Sequence, residues 1–263
     1  MICSQRRLDM VYGYIWGHDQ PDVRLSISRE QAMAGAAIGI LVLDLWYPYL
    51  PGNVANATTF AFPVHYKILK GAGAEILNAD PRILDMVIEG GKELQQQGVR
   101  AIVGACGYFG NYQKEASARL DVPVFLSSLL QIPIIKRSLK PNRRVGVICG
   151  VAPSLTPDLL SQCGVTNLSD IVIAGAQDLP EFQNIIQCKG SFNSHKLEQE
   201  LVGLATKLIR DNPDIGVILL ECSDMPPCAW AIQNATRVPV FDFTTLINWV
   251  YSAVVRRPFT GFI

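Results

Sequence analysis

One short pattern occurs twice in this chain and constrains its fold more than any other feature. Ala101-Ile-Val-Gly-Ala-Cys106 is an apolar run ending on a cysteine, and Val122-Pro-Val-Phe125 begins 16 residues after that cysteine. Val217-Ile-Leu-Leu-Glu-Cys222 ends in the same way, and Val238-Pro-Val-Phe241 begins 16 residues after it. An apolar run without alternation is a strand buried on both faces, the hallmark of a parallel sheet. The small and polar residues behind each cysteine break the strand. The interval to Val-Pro-Val-Phe suits one helix and a return to the sheet. Two equal spacings on two cysteines indicate an internal repeat. Ligands bind at the carboxyl ends of strands in open α/β sheets, so the repeat predicts two thiols facing each other across a cleft. That placement suits removing a proton from one face of a carbon and returning one to the other.

The rest of the chain alternates in the same manner. Ile38 to Asp44 reads as a first buried strand, followed by a loop rich in Pro, Gly and Asn over 46–57. Phe62 to Leu69 and Ala74 to Leu77 read as further strands. Asp80 to Gly98 is the clearest helix, with Asp80 as N-cap, Pro81 at the first position and Gly98 as stop. Arg144 to Cys149 opens a second run of the same kind, which continues through a long helix over 194–212 and a last helix ending near Val255. The fold expected is α/β: two similar parallel-sheet α/β domains related by pseudo-two-fold symmetry, with the active site in the cleft between them. The first domain spans 36–135 plus 238–263, and the second spans 136–237. Residues 1–35 form an N-terminal extension with no clear period.

Composition narrows the function. Lys+Arg and Asp+Glu both number 23, which gives no electrostatic case for nucleic acid or an anionic membrane as partner. No apolar run reaches the roughly 18 residues of a membrane span. Met1 to Arg7 has no apolar stretch behind it, so no secretory signal is expected and the location expected is cytoplasmic. The 7 cysteines are odd in number and scattered, which reads as reduced thiols, and neither they nor the 3 histidines make a metal site.

The residues around Cys106 and Cys222 resemble the aspartate/glutamate racemase superfamily, which includes amino-acid and hydantoin racemases, arylmalonate decarboxylase and maleate isomerase. The resemblance covers roughly Gly35 to Phe259. Ala-Cys106-Gly-Tyr-Phe-Gly and Glu-Cys222-Ser-Asp-Met depart from the Cys-Asn-Thr and Gly-Cys-Thr of glutamate and aspartate racemases. The first is closer to the Cys-Phe-Gly of hydantoin racemases. The resemblance implies an isomerase that uses no cofactor, acts on a small-molecule carboxylate or hydantoin, and forms a homo-oligomer. It casts Cys106 and Cys222 as the catalytic pair, one a thiolate base and the other a thiol acid, for racemisation or epimerisation next to a carboxylate or carbonyl.

A weak carbon acid needs a close base and stabilisation of the developing enediolate. Both cysteines fall at strand-to-helix turns, where peptide N–H groups favour a thiolate. Candidates for holding the substrate follow strand ends: Asn53, Gly107, Ser154, Thr156 and Ser223. Glu221 and Asp224 flank Cys222 and would raise its pKa, favouring its acid form. Three rivals stand beside this reading. Maleate isomerases also carry two cysteines. Arylmalonate decarboxylases of this kind work with one cysteine in the second half, so Cys106 argues against them. A two-lobed binding protein without turnover would need no paired thiols.

Overall fold

A computed structural model of the protein describes residues 30–263. The apolar run Ile-Gly-Ile-Leu-Val-Leu has no polar face to offer water, so it becomes β1 (Ile38–Leu43), buried along its whole length. β2 (Val64–Leu69) and β3 (Ala101–Gly104) flank it, and β4 (Val124–Phe125) pairs with β3. The first sheet is parallel in the order β2-β1-β3-β4. The second half repeats the scheme with β5 (Arg144–Cys149), β6 (Ile171–Gly175), β7 (Ile215–Leu220) and β8 (Val240–Phe241). Its order, β6-β5-β7-β8, is that of the first sheet, and it too is parallel. The two Val-Pro-Val-Phe segments pair alike: Ile102 faces Val124 and Val103 faces Phe125, while Ile218 faces Val240 and Leu219 faces Phe241.

Helices α1 (Pro81–Gln96), α2 (Gln113–Arg119), α3 (Ile132–Ser138), α4 (Pro157–Gln162), α5 (Pro180–Ile186), α6 (Ser194–Asp211), α7 (Ala229–Thr236) and α8 (Phe243–Val254) cover the sheets. Asp80 caps α1 by accepting from the Arg82 N–H, as its sequence predicts. The segment expected as a strand over Ala74–Leu77 is instead a short 3-10 helix, Ala74–Asn78. It is confined between Gly71 at φ +81° and the left-handed Ala79, which leaves too little extended chain to pair. α5 has no counterpart among the expected elements.

The domain limits also differ from those expected. β8 is paired with β7 in the second sheet, so the chain returns to the first half at Asp242 rather than at 238. α3 packs on β5, so the second half begins before 132 rather than at 136. Each half therefore ends by lending a helix to the other: α3 follows β4 but covers the second sheet, and α8 follows β8 but covers the first. Phe243, Leu246, Ile247 and Val250 of α8 lie against Ile38, Ile40 and Val103. Both exchanges meet at Gln131, whose Nε2 donates to the Asp242 carbonyl while its Oε1 accepts from the Thr245 hydroxyl. One core cluster runs through both halves, from Leu41 and Ile102 by way of Ile132 and Ile135 to Val145, Val217 and Leu219. The expectation for residues 1–35 falls largely on 1–29, outside the described residues. Among the described residues no helix is long and apolar enough to cross a membrane.

Candidate active site

Both repeated cysteines sit where their strands end. Cys106 follows β3 in extended backbone and precedes the 3-10 helix Gly107–Tyr112, whose Phe109 N–H donates to the Cys106 carbonyl at 3.1 Å; the peptide N–H groups of Tyr108 and Phe109 favour the ionised form of its thiol. Cys222 follows β7, and its carbonyl accepts from the Met225 N–H at 3.2 Å, closing the turn. Both thiols line one cavity of about 60 Å³. Both are partly exposed, whereas Cys149, Cys163 and Cys228 are buried in the core. Short turns alone do not make thiolates here. Burial is the largest influence and pushes both thiols up, helped at Cys106 by Glu221 and at Cys222 by Asp224 and Glu221.

Two carboxyls frame Cys222. Asp224 lines the cavity and accepts three side-chain hydrogen bonds: from Asn53 Nδ2 at 2.5 Å, from the Tyr47 hydroxyl at 3.1 Å and from Cys222 Sγ at 3.4 Å. Burial pushes its pKa up, and those three donors oppose the rise. Glu221 is fully enclosed. Its Oε2 accepts from the Gly150 N–H at 3.2 Å, and its Oε1 meets no hydrogen-bond partner. Burial lifts its pKa to about 8, against the pull of the Gly150 N–H. The carboxyl lies directly on the Cα of Gly107, where a Cβ would come within 1.9 Å of Oε1. One side chain thus touches the turn after Cys106 and is itself the neighbour of Cys222.

The roof of the cavity is the loop after β1. It brings Leu45, Tyr47, Tyr49, Asn53 and Ala55 over the thiols. Asn53 Oδ1 accepts from the Ala55 N–H, which fixes the turn, while Nδ2 reaches across to Asp224. Gly52, at φ +101°, rests on Pro227 of the second half, where a Cβ would meet the Pro227 backbone at 3.1 Å. The Tyr47 and Tyr49 rings stand 4.7 Å apart at 53°.

The structure brings Cys106, Cys222, Asn53 and Ser223 to this cavity, with Gly107 just behind Cys106. The Ser223 hydroxyl is committed to the Ala105 carbonyl at 2.8 Å, which ties the two cysteine turns together. Ser154 and Thr156 are placed away from the lining. Ser154 closes a turn onto Val151, and Thr156 caps α4 by accepting from the Leu159 N–H. Tyr47 and Tyr49 were not among the sequence candidates, because nothing local in Trp46-Tyr-Pro-Tyr marks a partner 177 residues away. Among the described residues no group of three or more His, Cys, Asp or Glu is placed to hold a metal ion. A larger hollow of about 390 Å³, between Trp230, Gln233 and Arg237, is open and carries neither thiol nor carboxylate.

The sequence pattern of the family described as Asp/Glu/Hydantoin racemase matches residues 70–249. Among curated proteins the chain is 29% identical over 241 residues to a dimethylsulfoniopropionate lyase of Durusdinium sp. clade D, covering 89% of this chain and 80% of that protein. It is 30% identical over 236 residues to dimethylsulfoniopropionate lyase 7 of Emiliania huxleyi (strain CCMP1516), covering 86% of this chain and 69% of that protein. Among solved structures, a glutamate racemase isoform from Bacillus anthracis shares the fold with a TM-score of 0.52 at 12% identity, over 84% of this chain and 85% of that one.

Proposed function

The chain belongs to the Asp/Glu/hydantoin racemase family, and from that premise we propose that it is a lyase that removes the α-proton of a small carboxylate and expels a sulfonium group from the β-carbon. The observation that carries the reading is the pair of thiols, Cys106 and Cys222, at equivalent strand ends on one small cavity. The relatives named for dimethylsulfoniopropionate lyase supply the substrate class.

The chemistry runs as follows for dimethylsulfoniopropionate. Cys106 acts in its thiolate form as the base and takes the proton from the carbon next to the carboxylate, the peptide N–H groups of Tyr108 and Phe109 favouring ionisation against the effect of burial. The electron pair left behind forms the carbon–carbon double bond as the β-carbon–sulfur bond breaks. Dimethyl sulfide leaves neutral and needs no proton, acrylate remains, and the proton on Cys106 passes to solvent. Cys222, beside the Asp224 carboxylate and Glu221, stays a thiol. With no cationic side chain among the described lining residues, the substrate carboxylate is left to peptide N–H groups of the turns at Gly107 and Ser223.

The presence of a second thiol on the same cavity favours one further reading. A substrate without a β-leaving group gives the same carbanion, and Cys222 then returns a proton to the opposite face. That reaction is racemisation or epimerisation.

The test is to incubate the protein with dimethylsulfoniopropionate in deuterium oxide and follow dimethyl sulfide by gas chromatography and acrylate by NMR. Chiral amino acids and hydantoins are scored in parallel for deuterium at the α-carbon. Cys106→Ser is expected to lower turnover about 10²- to 10⁴-fold, the range for loss of a positioned base. Cys222→Ser is expected to abolish deuterium exchange. Absence of both sulfide release and exchange from the wild type sinks the reading.

A further inference from the structure

The cavity has an electrostatic character that the thiols do not explain. Asp224 is 9% exposed, and among the described residues it has no cationic partner. Its three donors are an amide, a phenol and a thiol, all neutral. A buried carboxylate without a counter-charge is costly unless a ligand supplies one. Over the same cavity lie Tyr47 and Tyr49, tilted against each other with ring centres 4.7 Å apart. Aromatic faces attract cations, most strongly where water is excluded. The described lining offers no Lys, Arg or His to an anion.

The geometry points to a cation-binding corner formed by Tyr47, Tyr49 and Asp224, which takes the alkylated positive centre, sulfonium or quaternary ammonium, of a zwitterionic carboxylate. A protonated amine fits less well. Its N–H groups need acceptors, and both oxygens of Asp224 already accept from Asn53, Tyr47 and Cys222. The Tyr49 hydroxyl is turned away to the Leu45 carbonyl at 3.0 Å. What remains are the two aromatic rings and apolar side chains such as Leu45 and Ala55, a lining suited to methyl groups around a charge. The inference rests on the reading of this cavity as the substrate site, but not on which bond is broken there.

Calorimetric titration with two compounds of one shape isolates the charge. 3-(Trimethylammonio)propionate carries the positive centre, and 4,4-dimethylpentanoate replaces its nitrogen by carbon. The wild type is expected to bind the first at least about tenfold more tightly, the scale of a desolvated cation–π contact. Tyr49→Leu and Asp224→Asn are expected to bring the two compounds within about twofold of each other, and Tyr49→Phe to keep the preference. Equal or better binding of the carbon compound by the wild type overturns the proposal without any variant having to fold. So does a preference that survives both Tyr49→Leu and Asp224→Asn. The outcomes separate from those of the lyase reading. Preference for the charged compound with no sulfide release keeps the corner and removes the lyase. Sulfide release with no such preference does the reverse.

Discussion

Glu221 holds a carboxyl where water does not reach, and this makes the protein's stability depend on pH in a definite direction. Unfolded, the group gives up its proton near the ordinary 4.5; folded, it does so only near about 8. Between those values the unfolded chain has lost a proton that the folded chain still holds, so stability falls as pH rises through the window and is level outside it. Glu221→Gln cannot titrate. Its stability relative to wild type is expected to climb by a few kcal/mol across the window, read from denaturation midpoints between about pH 4 and about pH 9. A constant difference between the two chains would show an ordinary carboxyl. At this scale the sequence was legible where chemistry repeats. Cys106 and Cys222 stand out by context, and Glu221 and Asp224 by adjacency. It was not legible that Gly107 has to be glycine because Glu221 rests on its Cα, since that contact joins positions 114 residues apart.

Among the elements, the loop after β1 has the most to do and the least regular structure. Asn53 holds it by one bond to its own backbone and one across to Asp224. Asn53→Ala removes both, at about 1–3 kcal/mol, and leaves the cavity roof free to lift. Chymotryptic cleavage after Tyr49 is expected to quicken about tenfold, the bond after Tyr47 being closed to the protease by Pro48. Mass mapping of the fragments checks it, and an unchanged cleavage rate would mean that the loop is held elsewhere. Strands and long helices of this protein were readable in advance because their cause is local: unbroken apolar runs for β1, β3 and β7, and a capped amphipathic period for α1. The 3-10 helix Ala74–Asn78 was misread because a short run carrying Ile76 and Leu77 between turns looks the same in a strand. Tyr47 and Tyr49 were missed because their role comes from a tertiary contact.

In the whole molecule the two halves share one core and exchange their terminal helices. A single cooperative heat-absorption peak is therefore expected by calorimetry, with matching calorimetric and van't Hoff enthalpies. Two resolved peaks would mean that the halves melt as separate domains. The doubled strand–cysteine–Val-Pro-Val-Phe pattern announced two halves, while the limit expected at 136 falls inside α3 and that at 238 just ahead of β8. Sequence period marks an element, but not the sheet that it covers. The crossings at Gln131 and Asp242 carry a mechanical consequence. They are bonded to each other, so the halves are pinned there, like the two boards of a book at its spine. A book opens by swinging its covers, but here the fore-edge is clasped: Asn53 and Tyr47 on one board grip Asp224 on the other. A guest held at Asp224 by its charge alone leaves that clasp fastened, because the three donors keep their oxygens.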